Sequence, residues 1–172
     1  MKTFALAAGI ALLTTTAGFA GPQYIDGTGY AVSGYDVVAY FDLPQAPVGE
    51  AQPEGVPGRK DITADYNGAT FAFASESNRD KFLADPAKYA PQYDGHCAYG
   101  VSRGGKVPGN PNLWRIVDDK LYLNITPVVV EFWEEDIPGN INTAENNWVS
   151  IEPDGASENV IPKFTSSAPL TN

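Results

Sequence analysis

The residues of this chain with metal-binding or nucleophilic chemistry are few and adjacent. His96 and Cys97 are its only histidine and cysteine, and Met1 is its only methionine. One cysteine excludes a disulfide within the chain, and one cysteine with one histidine excludes a zinc site built from several such ligands. A lone cysteine takes one of three roles: a small buried hydrophobe, a metal ligand or a reactive thiol. As metal ligands, His96 and Cys97 need oxygen donors such as Asp94 or Asp36, or a second copy of the chain. Two such ligands hold one Cu(I) linearly, or a tetrahedral ion across a homodimer. His96 is also the sole candidate for a histidine base. Neighbours on a strand point to opposite faces, so it is not expected to activate Cys97, and the expectation is a protein that is not an enzyme.

Aromatic side chains supply a different kind of site. Tyr35, Tyr40, Tyr93, Tyr99 and Trp114, with Asp36 beside them, are candidates to line a pocket for a small ligand or a protein partner. In that reading Cys97 is structural.

The chain has 172 residues, with 11 Lys or Arg against 21 Asp or Glu and a net charge of −10. Such an acidic chain repels phosphate backbones and anionic membrane surfaces, so the expected partner is a metal ion or small molecule, not nucleic acid. Lys2, the apolar run 4–13 and the small residues ending Gly18-Phe19-Ala20 form the pattern of a secretory leader cut between Ala20 and Gly21. Ten strongly apolar residues fall short of the ~20 that span a bilayer, so no stable membrane anchor is expected. The expected location is the periplasm.

Several elements must position these side chains. Residues 37–41, β-branched and aromatic after Gly34-Tyr35-Asp36, read as a buried strand. Residues 44–58 carry prolines and glycines and read as an irregular surface loop. Asn67-Gly68 between 62–66 and 69–74 signals a hairpin with Phe71 and Phe73 on one face. Ser75 caps a helix, and Asp85-Pro86 starts a second one that carries Tyr89 toward the core. Residues 92–105 read as a short strand or ordered loop. Asp118-Asp119 turns a second hairpin, with Trp114, Ile116, Leu121 and Leu123 sharing a face. Thr126-Pro127 opens a helix whose Glu131, Glu134, Glu135 and Asp136 read as a solvated face, with Pro138-Gly139 as its breaker. Residues 142–149 follow as a last helix burying Trp148. The organisation expected is a leader over 1–20, a domain over 21–151 and a mostly disordered tail over 152–172, with Val160, Ile161 and Phe164 as weak docking residues.

Taken in order, these pieces resemble the YHS domain family, in its secreted bacterial branch. The resemblance rests on Gly34-Tyr35-Asp36-Val37-Val38-Ala39-Tyr40-Phe41, Tyr66-Asn67-Gly68, Phe71-Ala72-Phe73-Ala74-Ser75, Asn78-Arg79-Asp80 and Phe82. It continues through Asp85-Pro86-Ala87-Lys88-Tyr89-Ala90-Pro91-Gln92-Tyr93, Cys97-Ala98-Tyr99-Gly100-Val101, Trp114-Arg115-Ile116-Val117, Lys120-Leu121-Tyr122-Leu123-Asn124 and Asn147-Trp148. It implies an α+β domain, a small antiparallel sheet with two hairpins packed by short helices. It also implies a link to transition metals, here copper held by Cys97 with help from His96. Tyr35-Asp36 and Ser75-Glu76 stand where metal-associated members carry further cysteines.

Overall fold

The structure, a computed structural model, describes residues 21–162. The expected leader and residues 163–172, Phe164 among them, lie outside the described residues.

Two left-handed turns organise the strands. Asn67 and Gly68, at φ 46° and 76°, connect β1 (Arg59–Tyr66) to its antiparallel partner β2 (Ala69–Phe73). Short polar residues and glycine tolerate positive φ, which is why this pair turns a hairpin.

Hydroxyl and carboxylate caps start most of the helices. Ser75 Oγ accepts from the Asn78 amide at 3.1 Å and opens α1 (Glu76–Ala84). Asp85 Oδ1 accepts from the Lys88 amide at 3.3 Å and opens α2 (Pro86–Tyr89). The Gly-rich stretch that follows is not a strand. A turn over Gln92–Gly95 leads into α3 (Ala98–Ser102), whose N-cap is Cys97, with Sγ accepting from the Gly100 amide at 3.3 Å. The cap satisfies a first-turn N–H and outweighs the poor helix propensity of glycine.

Next, Asp118 and Asp119, at φ 49° and 57°, connect β3 (Asn110–Val117) to β4 (Lys120–Asn124), again antiparallel. Each hairpin is its own two-stranded sheet. Thr126 then caps α4 (Pro127–Glu134) through the Val129 amide at 3.3 Å. Pro138-Gly139 does not break the chain as expected. Asp136 caps α5 (Ile137–Ile151) through the Gly139 amide at 3.0 Å, and Pro138 sits in the first turn, where its missing N–H costs nothing. No helix among the described residues is long and apolar enough to cross a membrane.

The strand expected over 37–41 is also absent, replaced by a 3₁₀ turn over Ala39–Asp42. Asp36 is the reason. Its Oδ1 accepts from the Val38 and Ala39 amides at 2.9 and 3.2 Å, and a side chain that bonds its own following amides takes them from a strand ladder. Val37, Val38 and Tyr40 remain buried regardless.

Two apolar clusters fill the interior. In the first, Phe82 packs on Phe71 and Phe73 with ring centroids 4.9 and 5.1 Å away, and Tyr40 meets Trp114 edge-on at 5.2 Å. Trp114 faces Leu123 and Ile116 faces Leu121 across β3 and β4, the shared face that period-2 alternation expects. The second cluster joins Tyr93, Val101, Tyr122, Trp133 and Ala144, with Trp148 packed against it. Burying each large side chain contributes about 1.5–3 kcal/mol.

Candidate ligand site

Cys97 is fully buried. Its thiol lies 3.5 Å from Asn124 Oδ1, to which it donates, and burial pushes it up to about 11. The amides around it pull the other way and only partly offset that burial. His96 is buried as well, and both ring nitrogens are engaged. Nδ1 lies 2.8 Å from the Tyr93 carbonyl and Nε2 accepts from the Ser157 amide at 3.1 Å. A carbonyl only accepts and an amide only donates, so the ring is neutral with its proton on Nδ1. Burial depresses His96 to about 4. Asp94 accepts from Gln23 Nε2 at 2.8 Å, while its Oδ2 has no partner and burial raises the carboxyl to about 6. Although they lie within four residues of sequence, the three expected metal ligands face separate polar partners. Among the described residues no three His, Cys, Asp or Glu side chains converge as a metal site.

The expected aromatic pocket is likewise dispersed. Asp36 is a structural carboxylate. Besides its two local bonds, Oδ2 accepts from the Ala74 amide at 2.8 Å and Asn78 Nδ2 at 2.7 Å, tying the Asp36 turn to β2 and α1. Tyr40 donates to the Pro111 carbonyl at 2.8 Å, and Tyr35 accepts from Asn112 Nδ2 at 3.3 Å; both rings belong to the first core. Tyr93 is in the second core with its hydroxyl unpartnered, and burial raises its pKa. Tyr99 stacks on Phe132 at 5.9 Å, with the Arg103 guanidinium over it. Residue type alone does not separate a pocket wall from a core.

Of that set, Trp114 lines a recess of about 210 Å³ bounded by residues 49–52, the middle of β3 and α4. The loop read as irregular is tied down here. Gln52 exchanges hydrogen bonds with the backbone of Ala46 at 2.9 and 3.1 Å, Trp114 Nε1 donates to the Pro53 carbonyl at 2.8 Å, and Asn112 Oδ1 accepts from the Gly55 amide at 3.0 Å. An ion pair supports the same wall. Arg115 meets Glu134 at 2.5 Å, both side chains more than nine-tenths buried, and its remaining donors reach the Ala46 and Pro47 carbonyls at 3.1 and 3.2 Å. Glu134 Oε2 accepts from the Gly49 amide at 2.7 Å. Glu134 is therefore not part of a solvated face: once α4 packs beside β3, Arg115 is its nearest cation.

Three features give the cavity its chemistry. Its walls include Val130, Pro127, Leu113 and the Trp114 ring, all apolar. Glu50 and Glu131 add acidic side chains to the lining. Trp133, also in the lining, is buried with an indole N–H that has no hydrogen-bond partner. A buried donor left unpaired costs about 1–3 kcal/mol. Asn124 links this recess to Cys97, since it both lines the cavity and accepts from the thiol.

Residues 100–104 spell Gly-x-Ser-x-Gly around Ser102, although no nucleophile elbow of that spacing is expected from the sequence. The serine sits at the end of α3, buried, with its hydroxyl donating to the Tyr99 carbonyl at 2.8 Å. It is not at the strand-to-helix turn that exposes a nucleophile in that motif.

The two hairpins, their capped helices and the buried Asp36 clasp define a small α+β domain. Residues 52–93, which include β1, β2, α1 and α2, match the family model of the YHS domain. The match ends before Asp94, His96 and Cys97. No curated protein and no solved structure matches the chain.

Proposed function

We propose that this YHS domain is a binding module rather than a catalyst, and that it takes a small organic ligand in the recess between residues 49–52, β3 and α4. The observation that carries the reading is the unpartnered, buried indole N–H of Trp133, a lining residue of a recess whose apolar wall is Leu113, Trp114, Pro127 and Val130. A cavity of about 150 Å³ holds one benzene. The 210 Å³ recess therefore suits a single substituted ring bearing one hydrogen-bond acceptor. Glu50 and Glu131 favour a neutral or cationic molecule over an anion. In this reading Cys97 is a helix cap and His96 a structural acceptor.

The test is a screen of single-ring neutral and cationic molecules by chemical-shift perturbation. Hits should move the Trp114 and Trp133 indole signals, and Val130→Trp, which fills the recess, should abolish them. Hits that persist in Val130→Trp overturn the reading.

Copper binding through Cys97 is the second reading, favoured by the YHS match, a domain often linked to metal handling. Native mass spectrometry of the protein and Cys97→Ala after copper exposure separates the two. Uptake lost in Cys97→Ala supports copper, and equal uptake removes Cys97 from any metal site.

A further inference from the structure

The first described residues do not hang free. The Tyr24 amide donates to the Asp94 carbonyl at 2.8 Å, and Gln23 Nε2 reaches Asp94 Oδ1 at 2.8 Å, so this segment is fixed against the 92–95 turn. That fixing brings the Gly21 nitrogen to 3.4 Å from Glu152 Oε1. A Cβ built on Gly21 would lie 2.9 Å from Asp94 Oδ2 and 2.6 Å from the Glu152 carbonyl oxygen. Gly21 therefore sits between two carboxylates with no room for a side chain.

The corner is short of one cation. Asp94 is 6 % exposed, its Oδ2 has no partner, and neither it nor Glu152 belongs to an ion pair among the described residues. Lys106 is close, but its ammonium donates to the Glu152 and Asp154 carbonyls at 3.2 and 2.7 Å and lies over the Trp148 ring. His96, the other basic group here, is held neutral by its hydrogen bonds and burial. Tyr93 and Asp94 also occupy left-handed backbone at φ 55° and 52°, a cost of about 1–2 kcal/mol per residue that the surrounding contacts must hold.

We propose that the α-ammonium group freed by cleavage between Ala20 and Gly21 seats on the Asp94 and Glu152 carboxylates, so that processing of the chain completes this corner of the fold. Cleavage adds water across the Ala20–Gly21 amide. The hydroxyl goes to the Ala20 carbonyl carbon, one hydrogen to the Gly21 nitrogen, and a solvent proton makes that nitrogen an ammonium. An amide N–H meets one acceptor, whereas an ammonium offers three donors and a charge. Glycine at position 21, having no side chain, leaves the space for this contact.

The test uses the protein secreted with its own leader, its mature N-terminus read by mass spectrometry. It is compared with a form retaining one alanine before Gly21. The Gly21 amino group should titrate about one unit above the ordinary ~7.7–8.0, a tenfold gain in proton affinity. The extended form should melt lower, and Asp94→Asn should shrink that difference. Should Asp94→Asn fail to fold, Glu152→Gln provides the second comparison, and the amino-group titration needs no variant. A mature N-terminus other than Gly21, an amino group titrating at its ordinary value, or equal melting of the two forms overturns the proposal.

Discussion

Replacing Arg115 by leucine tests how the cavity wall is held. Arg115 and Glu134 are both more than nine-tenths buried and 2.5 Å apart. Arg115 also ties down the Ala46 and Pro47 carbonyls, and Glu134 the Gly49 amide. Removing one member of a buried pair leaves an uncompensated charge and costs about 3–5 kcal/mol. At about 2–4 °C per kcal/mol for a chain of this size, Arg115→Leu should melt about 6–20 °C lower. Removing both charges at once is often close to neutral, so Arg115→Leu/Glu134→Leu should recover most of the loss. Urea denaturation gives the energies, and hydrogen exchange over residues 45–53 should show the loop opening in the single variant. A single variant that loses less than about 1 kcal/mol, or a double variant as unstable as the single, would refute this account of the wall.

Three further outcomes follow from the same contacts. With burial holding the Cys97 thiol at about 11, roughly one molecule in a thousand is thiolate at pH 8. The folded protein should resist iodoacetamide at that pH while urea-unfolded protein reacts, and fast labelling of the folded form would contradict the buried cap. His96 lies at about 4, below its ordinary 6.5, so the stability it contributes is fully present above pH 6.5 and is lost as the pH falls through 4. Its full extent is about 3 kcal/mol, and because Nε2 of imidazolium has no lone pair to accept a hydrogen bond, the Ser157 amide should lose its exchange protection, relative to the intrinsic rate, below pH 4. Asp36→Ala leaves the Val38, Ala39 and Ala74 amides and Asn78 Nδ2 without their acceptor and should cost about 3 kcal/mol or more in a urea melt.

Local chemistry made much of the framework legible. Asn67-Gly68 and Asp118-Asp119 turn the two hairpins because short polar residues and glycine tolerate positive φ, and Ser75, Asp85 and Thr126 cap helices through amides three residues on. The surprises are cases where a side chain took over a backbone role or found a distant partner. Asp36 turned a β-rich run into a 3₁₀ turn, and Cys97 capped a helix in a Gly-rich segment. Glu134, on a helix read as acidic and solvated, found Arg115 nineteen positions away on β3. Residues 152–162, expected to be mostly disordered, contribute the Ser157 amide to His96 and the Asn159 carbonyl to Tyr24, with Ile161 buried and Val160 exposed. The cavity was hidden for the same reason, since residues 49–52 become a wall only through side-chain contacts with β3 and α4.

The most direct measurement of the proposed ligand site is the indole N–H resonance of Trp133 during titration with a screened single-ring ligand. The account predicts a saturable downfield shift as the ligand's acceptor takes the unpaired proton, unchanged in Cys97→Ala and absent in Val130→Trp. A ligand that saturates the protein while that resonance stays in place, or that binds Val130→Trp equally well, would contradict it.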